Sequence, residues 1–599
     1  MMKFLDKRNM YKREEDIEEE KVLKLPSVWT IVKVLIFSLI PVVLFYLMEA
    51  YEHNAFEEVR DLAQWLNIIL FELIAWLLFF ITGKASWAIR IETGIALVYG
   101  LVNHYVMAFR STPLVPWDIF SIKTAASVAG NYDFTPTKEV ILVTLAFVAI
   151  IILVGFLKLD FTYGVFLRVI PTVCIGIVLC LFVNLLQDED FQSDAYLYPF
   201  LFTPTYMTKV NGMAVTFAMD MAYVFVEKPA GYSAKEAEAI LAEYASEEVV
   251  PDELPNIIVI MNEAFSDLSV IGDFSTNEDY MPYIHSLQEG AENTITGNMT
   301  VSVVGGNTAN SEFEFLTGHT MDFFPVGSIP YQQYIKGELP SLASQMVELG
   351  YETYGMHPYN ASGWNRDEVY PWLGFEWSYF LPDFTGRTYI RSYVSDQTAY
   401  DKIIDIYENR DSDKPMFMFE VTMQNHGGYT DAYENFTPDI KVEDTSDVVL
   451  DRYLSLIKES DAQLERLISY FETQEEDTII VFFGDHQPND YVANKIFRLN
   501  GKTMLSETDV KNRYIVPYVV WANFDIEEAT DADTDISYLA ANVLTEAGIP
   551  TNAYQNFLLE LEEVMAEDST ASQVMKDEYW QTYQKLQYYF MFDYRNEES

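Results

Sequence analysis

Cysteine is almost absent: the 599 residues hold two, Cys174 and Cys180, and both lie inside one apolar run. The large polar part of the chain therefore has no disulfide framework, no thiolate metal site and no cysteine nucleophile. Positive charge is also scarce, with 38 Lys and Arg against 90 Asp and Glu, a formal net charge of -52. Such a chain has no electrostatic attraction for nucleic acid or for bare anionic lipid, so cations must mediate any anionic contact. Histidine is limited to seven residues, too few to equip a two-zinc phosphatase centre. Neither internal repeats nor low-complexity tracts occur.

What the chain does have is long apolar runs, all in its first third. Trp29–Met48, Trp65–Ile81, Ile91–Phe109, Val140–Leu157 and Val165–Leu186 each approach the roughly 20 residues that cross a bilayer. The third is interrupted by Asn103 and His104. Before the first run stand Lys3, Lys7, Arg8, Lys12, Arg13, Lys21 and Lys24, whereas the loop after it holds only Arg60. That asymmetry predicts a cytoplasmic N-terminus, and five spans then place everything after Leu186 outside the cell. The segment between Arg110 and Lys138 reads as an interfacial stretch. The length exceeds one hydrophobic core, and composition divides it into a membrane domain (1–190), a juxtamembrane linker with helices (191–250), an outer α/β domain (251–550) and a peripheral helical tail (551–599).

In the outer domain short apolar runs alternate with helical stretches, the pattern of a largely parallel sheet. Four runs stop at polar clusters: NIIVIMNEAF at Asn262 and Glu263, YETYGMHPYN at His357, PMFMFEVTMQNHGGY at Asn425 and His426, and TIIVFFGDHQP at Asp485 and His486. Parallel sheets bind ligands beyond the carboxyl ends of their strands, so these side chains are expected at one site. Asp485, His486 and Glu263 combine carboxylate and imidazole donors suited to a divalent cation. A carboxylate directly after IIVIMN would otherwise need a buried ion pair. In GGNTANSEFEFLTG, Thr308 falls at or next to the start of a helix, where unpaired N–H groups favour an anion. Two readings stay open there: a capping hydroxyl, or a nucleophile for phosphoryl transfer. His285 and His319 lie outside the strand-end set and are expected at the surface or as caps.

NTANSEFEFLTG, the NEAF segment, MHPYNASGWNR, TMQNHGGY and FFGDHQP occur in the order and spacing of the lipoteichoic acid synthase family, membrane-anchored members of the alkaline phosphatase and sulfatase superfamily. The five-run prelude and VNGMAVTFAMDMAYVFVEKPAGYS also resemble that family. The resemblance implies a five-helix membrane domain joined to an extracellular sulfatase-like α/β domain. It implies Thr308 as nucleophile and metal ligand, with Glu263, Asp485 and His486 completing a site for one divalent cation, manganese or else magnesium. His357, Trp364, Arg366 and His426 would hold glycerol phosphate. The implied reaction moves glycerol phosphate from phosphatidylglycerol, by way of Thr308, to a polyglycerol phosphate chain or its glycolipid anchor. A phosphoethanolamine or phosphoglycerol transferase acting on another envelope glycan shares this core, and a silent polymer-binding receptor is the alternative outside enzymes. This chain has HGGY where HGPY is usual and HQP where HLP is common. A sulfatase would need Cys or Ser in a C/S-x-P-x-R context, which NTANSEF lacks.

Overall fold

The computed structural model describes residues 27–110, 113–121, 134–161, 165–198, 204–224, 226–246, 250–251, 253–325, 328–410, 413–443, 445–566 and 569–594. The basic residues before the first apolar run, and most of the expected interfacial stretch, lie outside them. The described residues form two compact units that divide at Ala222 and Tyr223, the second also taking in 109–110 and 115–121.

The first unit holds five helices long and apolar enough to cross a membrane. They are α1 (Val28–Glu49), α2 (Asp61–Thr82), α3 (Ala85–Arg110), α4 (Lys138–Leu153) and α5 (Val165–Leu186). Ser27 opens α1 by accepting the Thr30 N–H, and Thr137 opens α4 by accepting that of Val140. The polar interruption in α3 finds partners nearby: buried Asn103 accepts the Leu114 N–H through Oδ1 at 2.8 Å, and His104 Nδ1 pairs with Glu52 Oε1 at 2.9 Å. Beyond α5, α6 (Pro204–Asn211) and α7 (Met213–Asp220) meet at Gly212. Asn67 of α2 donates to the Asn211 carbonyl (2.7 Å) and accepts the Val215 N–H (3.0 Å). A Cβ on Gly212, whose φ is +82°, would lie 2.5 Å from Asn67 Nδ2, which accounts for the glycine of VNGMAV.

The second unit is built on an eight-stranded sheet. Its elements in chain order are β1 (Asn256–Asn262), β2 (Thr294–Thr300), α8 (Thr308–Thr317), β3 (Glu352–His357), α9 (Arg366–Trp372), β4 (Trp377–Phe380), the small hairpin β5 (Tyr389–Ile390) and β6 (Tyr393–Val394), β7 (Met416–Val421), α10 (Val448–Phe471), β8 (Thr478–Gly484), β9 (Ile515–Ala522), β10 (Thr534–Asp535), α11 (Ile536–Glu546), α12 (Ala553–Met565) and α13 (Gln573–Tyr588). The sheet order is β10-β2-β9-β8-β1-β7-β3-β4. Strands β8, β1, β7, β3 and β4 run parallel, while β9 is antiparallel to both neighbours. Both faces are covered: Ile257, Val259 and Met261 of β1 enter one hydrophobic cluster, Ile258 and Ile260 the other. That double burial is why β1, β7 and β8 read as continuous apolar runs.

The stretch expected as a linker, 191–250, divides. Leu197, Met207, Met213 and Val215 pack with the first unit, whereas the helix Ala234–Glu243 packs beside α12 and α13. The tail is not peripheral to the domain's core elements. Tyr554 and Tyr583 donate to the Gly318 carbonyl at the end of α8, and Gln587 takes both the N–H and the carbonyl of Thr320.

His319, expected at the surface or as a cap, is buried there instead, with Nδ1 2.8 Å from Tyr554 Oη. Burial pushes its imidazole down to about 3. A depressed pKa stabilises the fold above the unfolded value of about 6.5 and is lost as pH falls toward the folded one. Stability in a thermal melt should therefore fall between pH 6.5 and 4 by up to about 1.4 kcal/mol per pH unit, and His319→Gln should flatten that decline.

Candidate active site

The register of the parallel strands assembles the site. Asn262 of β1 pairs with Gly484 of β8, so Glu263 and Asp485 emerge side by side one residue later. Met261 pairs with Val421 of β7, and Met356 with Glu420, which brings the ends of β7 and β3 to the same edge. Gly484 is required by space, because a Cβ there would lie 1.9 Å from the Phe265 carbonyl oxygen.

Glu263, Asp485 and His486 offer ligand atoms within 4.8 Å of one another, all buried. His486 Nε2 lies 3.3 Å from Asp485 Oδ2 and 4.0 Å from Glu263 Oε1. Two of the three ligands are aimed by a backbone contact. Asp485 Oδ1 accepts the Ala264 N–H at 2.7 Å, and His486 Nδ1 meets the Gln487 carbonyl at 2.9 Å, which places the proton on Nδ1 and leaves Nε2 a lone pair. Asp485 Oδ2 and His486 Nε2 are buried and have no hydrogen-bond partner. Two orphaned polar atoms pointing at one spot fit a divalent cation held by two carboxylates and an imidazole. Burial, and then the mutual repulsion of the two carboxylates, raises Glu263 well above the usual range, and burial raises Asp485. A cation would reverse both shifts.

Thr308 is the first residue of α8, a helix buried along its whole length. The N-cap is Asn307, held at φ 66° without a side-chain capping bond. The capping reading of Thr308 therefore fails, and its hydroxyl faces Glu263 Oε2 at 3.5 Å. Ser311, one turn on, donates to the Asp485 carbonyl at 2.6 Å and ties α8 to the end of β8.

His357 is buried, with Nδ1 2.8 Å from the Val421 carbonyl, so it donates to the backbone and presents Nε2 as an acceptor. Burial and the nearby Arg366 charge hold its pKa well below the ordinary histidine value. Half-buried His426 meets Tyr393 Oη through Nδ1 at 2.9 Å, and burial with the Arg391 charge lowers it to about 4. Both imidazoles are thus neutral near pH 7, and neither supplies positive charge to a phosphate. Activity should show no limb from either one between about pH 5 and 8, as a kcat/KM profile would reveal.

Arg366 is less free than the resemblance implies. Its Nε reaches both carboxylate oxygens of Glu312 at 3.0 and 3.1 Å, one Nη bonds the same carboxylate, and Tyr370 Oη donates to it at 3.0 Å. Nη1, 3.4 Å from the Gly363 carbonyl, keeps capacity for a ligand. Trp364 and Asn365 before it both sit in the left-handed region, at φ 57° and 59°, strain that functional loops tolerate when their surroundings over-determine them. Trp364 is half-buried against the core. Arg366→Met would strand Glu312 as an unpaired buried charge, so it should destabilise by about 3–5 kcal/mol, and Glu312→Gln in the same chain should restore much of the loss in a thermal melt.

Sequence reasoning missed the polar layer behind the site. Asn425 donates to Asn262 Oδ1 and Asn262 to Asp396 Oδ2, both at 2.9 Å, while Ser460 donates to Asp396. Asn262 and Asn425 stood out as strand-end residues, but Asp396 and Ser460 sit in ordinary helical stretches.

These buried ligand atoms form a candidate divalent-cation site at the carboxyl edge of a largely parallel sheet. Residues 255–549 match the sulfatase family model; lipoteichoic acid synthases are among the proteins the chain is similar to. The chain is 29% identical over 498 residues to a putative cyclic beta-1,2-glucan modification protein of Rhizobium meliloti, covering 80% of this chain and 75% of that one. It is 25% identical over 241 residues to the lipoteichoic acid synthase of Staphylococcus aureus, covering 39% of this chain and only 35% of the synthase. Among solved structures, the Streptococcus pyogenes phosphoglycerol transferase GacH in complex with sn-glycerol-1-phosphate aligns with a TM-score of 0.49 and 22% identity, over 61% of this chain and 94% of that one.

Proposed function

We propose that the chain is a metal-dependent glycerol phosphate transferase of the cell membrane, with its sulfatase-like domain outside the cell and its N-terminus in the cytoplasm. One observation carries the reading: the Thr308 hydroxyl stands at a helix start, uncommitted to capping, beside buried carboxylate and imidazole atoms that lack partners.

Glu263, Asp485, His486 and Thr308 would hold the cation, manganese or magnesium. When bound, such an ion supplies positive charge that acidifies the threonine hydroxyl and neutralises phosphoryl oxygens. Thr308 Oγ attacks the phosphorus of phosphatidylglycerol, the bond from phosphorus to the diacylglycerol oxygen breaks, and diacylglycerol leaves as the alcohol with the proton. The acceptor hydroxyl then attacks the glycerophosphoryl-threonine, and Thr308 regains its proton. The α8 start points N–H groups at the phosphoryl oxygens. Arg366 Nη1 and Trp364 would line the head group, His357 Nε2 would accept from a glycerol hydroxyl, and His426 would orient the entering or leaving oxygen.

The acceptor in this reading is a polyglycerol phosphate chain or its glycolipid anchor. A second reading, transfer to another envelope glycan, is favoured by the long match to a glucan modification protein, which extends well beyond the sulfatase-family domain. Incubating the full chain with phosphatidylglycerol labelled in its head group tests both. Label on the Thr308 peptide supports the donor and the covalent step. Label passing to glycerol phosphate oligomers or to a cyclic glucan decides the acceptor, and diacylglycerol release without label on Thr308 would refute the intermediate.

A further inference from the structure

The hairpin of β5 and β6 turns through Arg391 and Ser392, and Arg391 sits at φ 56°. That region suits glycine or asparagine, and an arginine held there needs a compensating reason. Its side chain turns inward and is only 4% exposed. Among the described residues no carboxylate stands within ion-pair distance of it. Nη2 donates instead to the carbonyls of Gln424 and His426, both at 2.8 Å, and Nη1 approaches that of Gly428 at 3.5 Å. Nε is buried without a partner. The rings of Tyr393 and Tyr429 flank the guanidinium, their centroids 5.5 and 5.3 Å from Cζ.

A buried guanidinium without a counter-charge is expensive, and neutral donors would satisfy carbonyls at less cost. What distinguishes this one is its grip on a single functional residue. Arg391 holds the His426 carbonyl, while Tyr393, two residues on in the same hairpin, holds the His426 ring through Nδ1 at 2.9 Å. Asn435 locks the hairpin from outside by donating to the carbonyls of Tyr389 (2.9 Å) and Arg391 (3.0 Å). The charge of Arg391 also favours the ionised form of Glu263.

We propose that Arg391 is a positioning residue of the transfer site: through its paired carbonyl contacts it sets the loop 424–428 and, with Tyr393, aims His426 at the substrate oxygen. The inference rests on the site being a phosphoryl-transfer site. Arg391→Gln in the full chain should lower kcat by about 30-fold while KM changes less than about threefold, and Arg391→Lys should regain about fivefold of that loss. In a His426→Gln background the same substitution should cost less than about threefold more, because its effect passes through His426. Asn435→Ala, which leaves the guanidinium in place, should give a smaller loss of the same kind should Arg391→Gln fold poorly.

Hydrogen exchange needs no substrate. The His426 amide, bonded to the Met423 carbonyl at 3.1 Å, should exchange about tenfold faster in Arg391→Gln and less so in Arg391→Lys. Equal losses with and without His426, or unchanged exchange across 423–428, would overturn the proposal. Wild-type chain that releases no diacylglycerol from phosphatidylglycerol would instead remove the donor assigned above, and the exchange measurement would still decide the role of Arg391.

Discussion

Thr308→Ala is expected to abolish transfer, by about 10⁴-fold or more in kcat, while leaving the fold nearly intact. The two halves of that expectation have separate physical grounds. Little of the fold depends on the hydroxyl: α8 starts after Asn307, its buried residues anchor it to the core, and the hydroxyl meets only the Glu263 carboxylate, at 3.5 Å, and that of Asp485. Its loss should therefore cost less than about 1 kcal/mol. The chemistry, by contrast, has no substitute, since Ser311 spends its hydroxyl on the Asp485 carbonyl. Thr308→Ser should keep turnover within about a hundredfold of wild type, because a primary hydroxyl can occupy the same place. Turnover by the alanine variant within tenfold of wild type would mean that the threonine is not the nucleophile.

Asp485→Asn is expected to weaken divalent cation binding by at least about 100-fold and to cost about 10³-fold or more in activity. Its effect on stability should run the other way. Without an ion, Glu263 and Asp485 are buried beside each other and each resists ionisation, so removing one carboxylate relieves repulsion. The metal-free variant should be at least as stable as metal-free wild type. Adding manganese at about 100 times its Kd should raise wild-type stability by about 2.7 kcal/mol and leave the variant unchanged. A chelator should abolish wild-type activity and bring its melting temperature down to that of the variant. Equal stabilisation of both proteins by manganese would place the ion elsewhere.

Much of this site was legible before any coordinates. The four strand-end clusters are visible because a parallel strand buried on both faces reads as an unbroken apolar run, so the first polar residues after it mark the carboxyl edge. Glu263, His357, His426, Asp485 and His486 stand out for that reason. Thr308 was ambiguous, since a threonine after paired glycines satisfies a cap as readily as a nucleophile. The left-handed Asn307 takes the cap position without using its side chain, which removes the capping reading and leaves the nucleophile as the proposal above. Arg366 shows the opposite limit. Asp367 and Glu368 are its neighbours in sequence, yet the carboxylate that holds it is Glu312, 54 residues earlier.

Composition and periodicity by themselves determined the five apolar helices, the parallel α/β sheet and the list of polar residues at its edge. Each of these follows from local apolar pattern and from the absence of thiols and basic patches. Tertiary structure alone decided which side chains are free to act. Strand register set Glu263 beside Asp485, a backbone carbonyl fixed the His486 tautomer, and distant Glu312 and the Arg391 hairpin took hold of groups that no local pattern pairs. The reason is that a side chain's chemistry depends on its buried partners, and those partners come from sequence separations of tens to hundreds of residues.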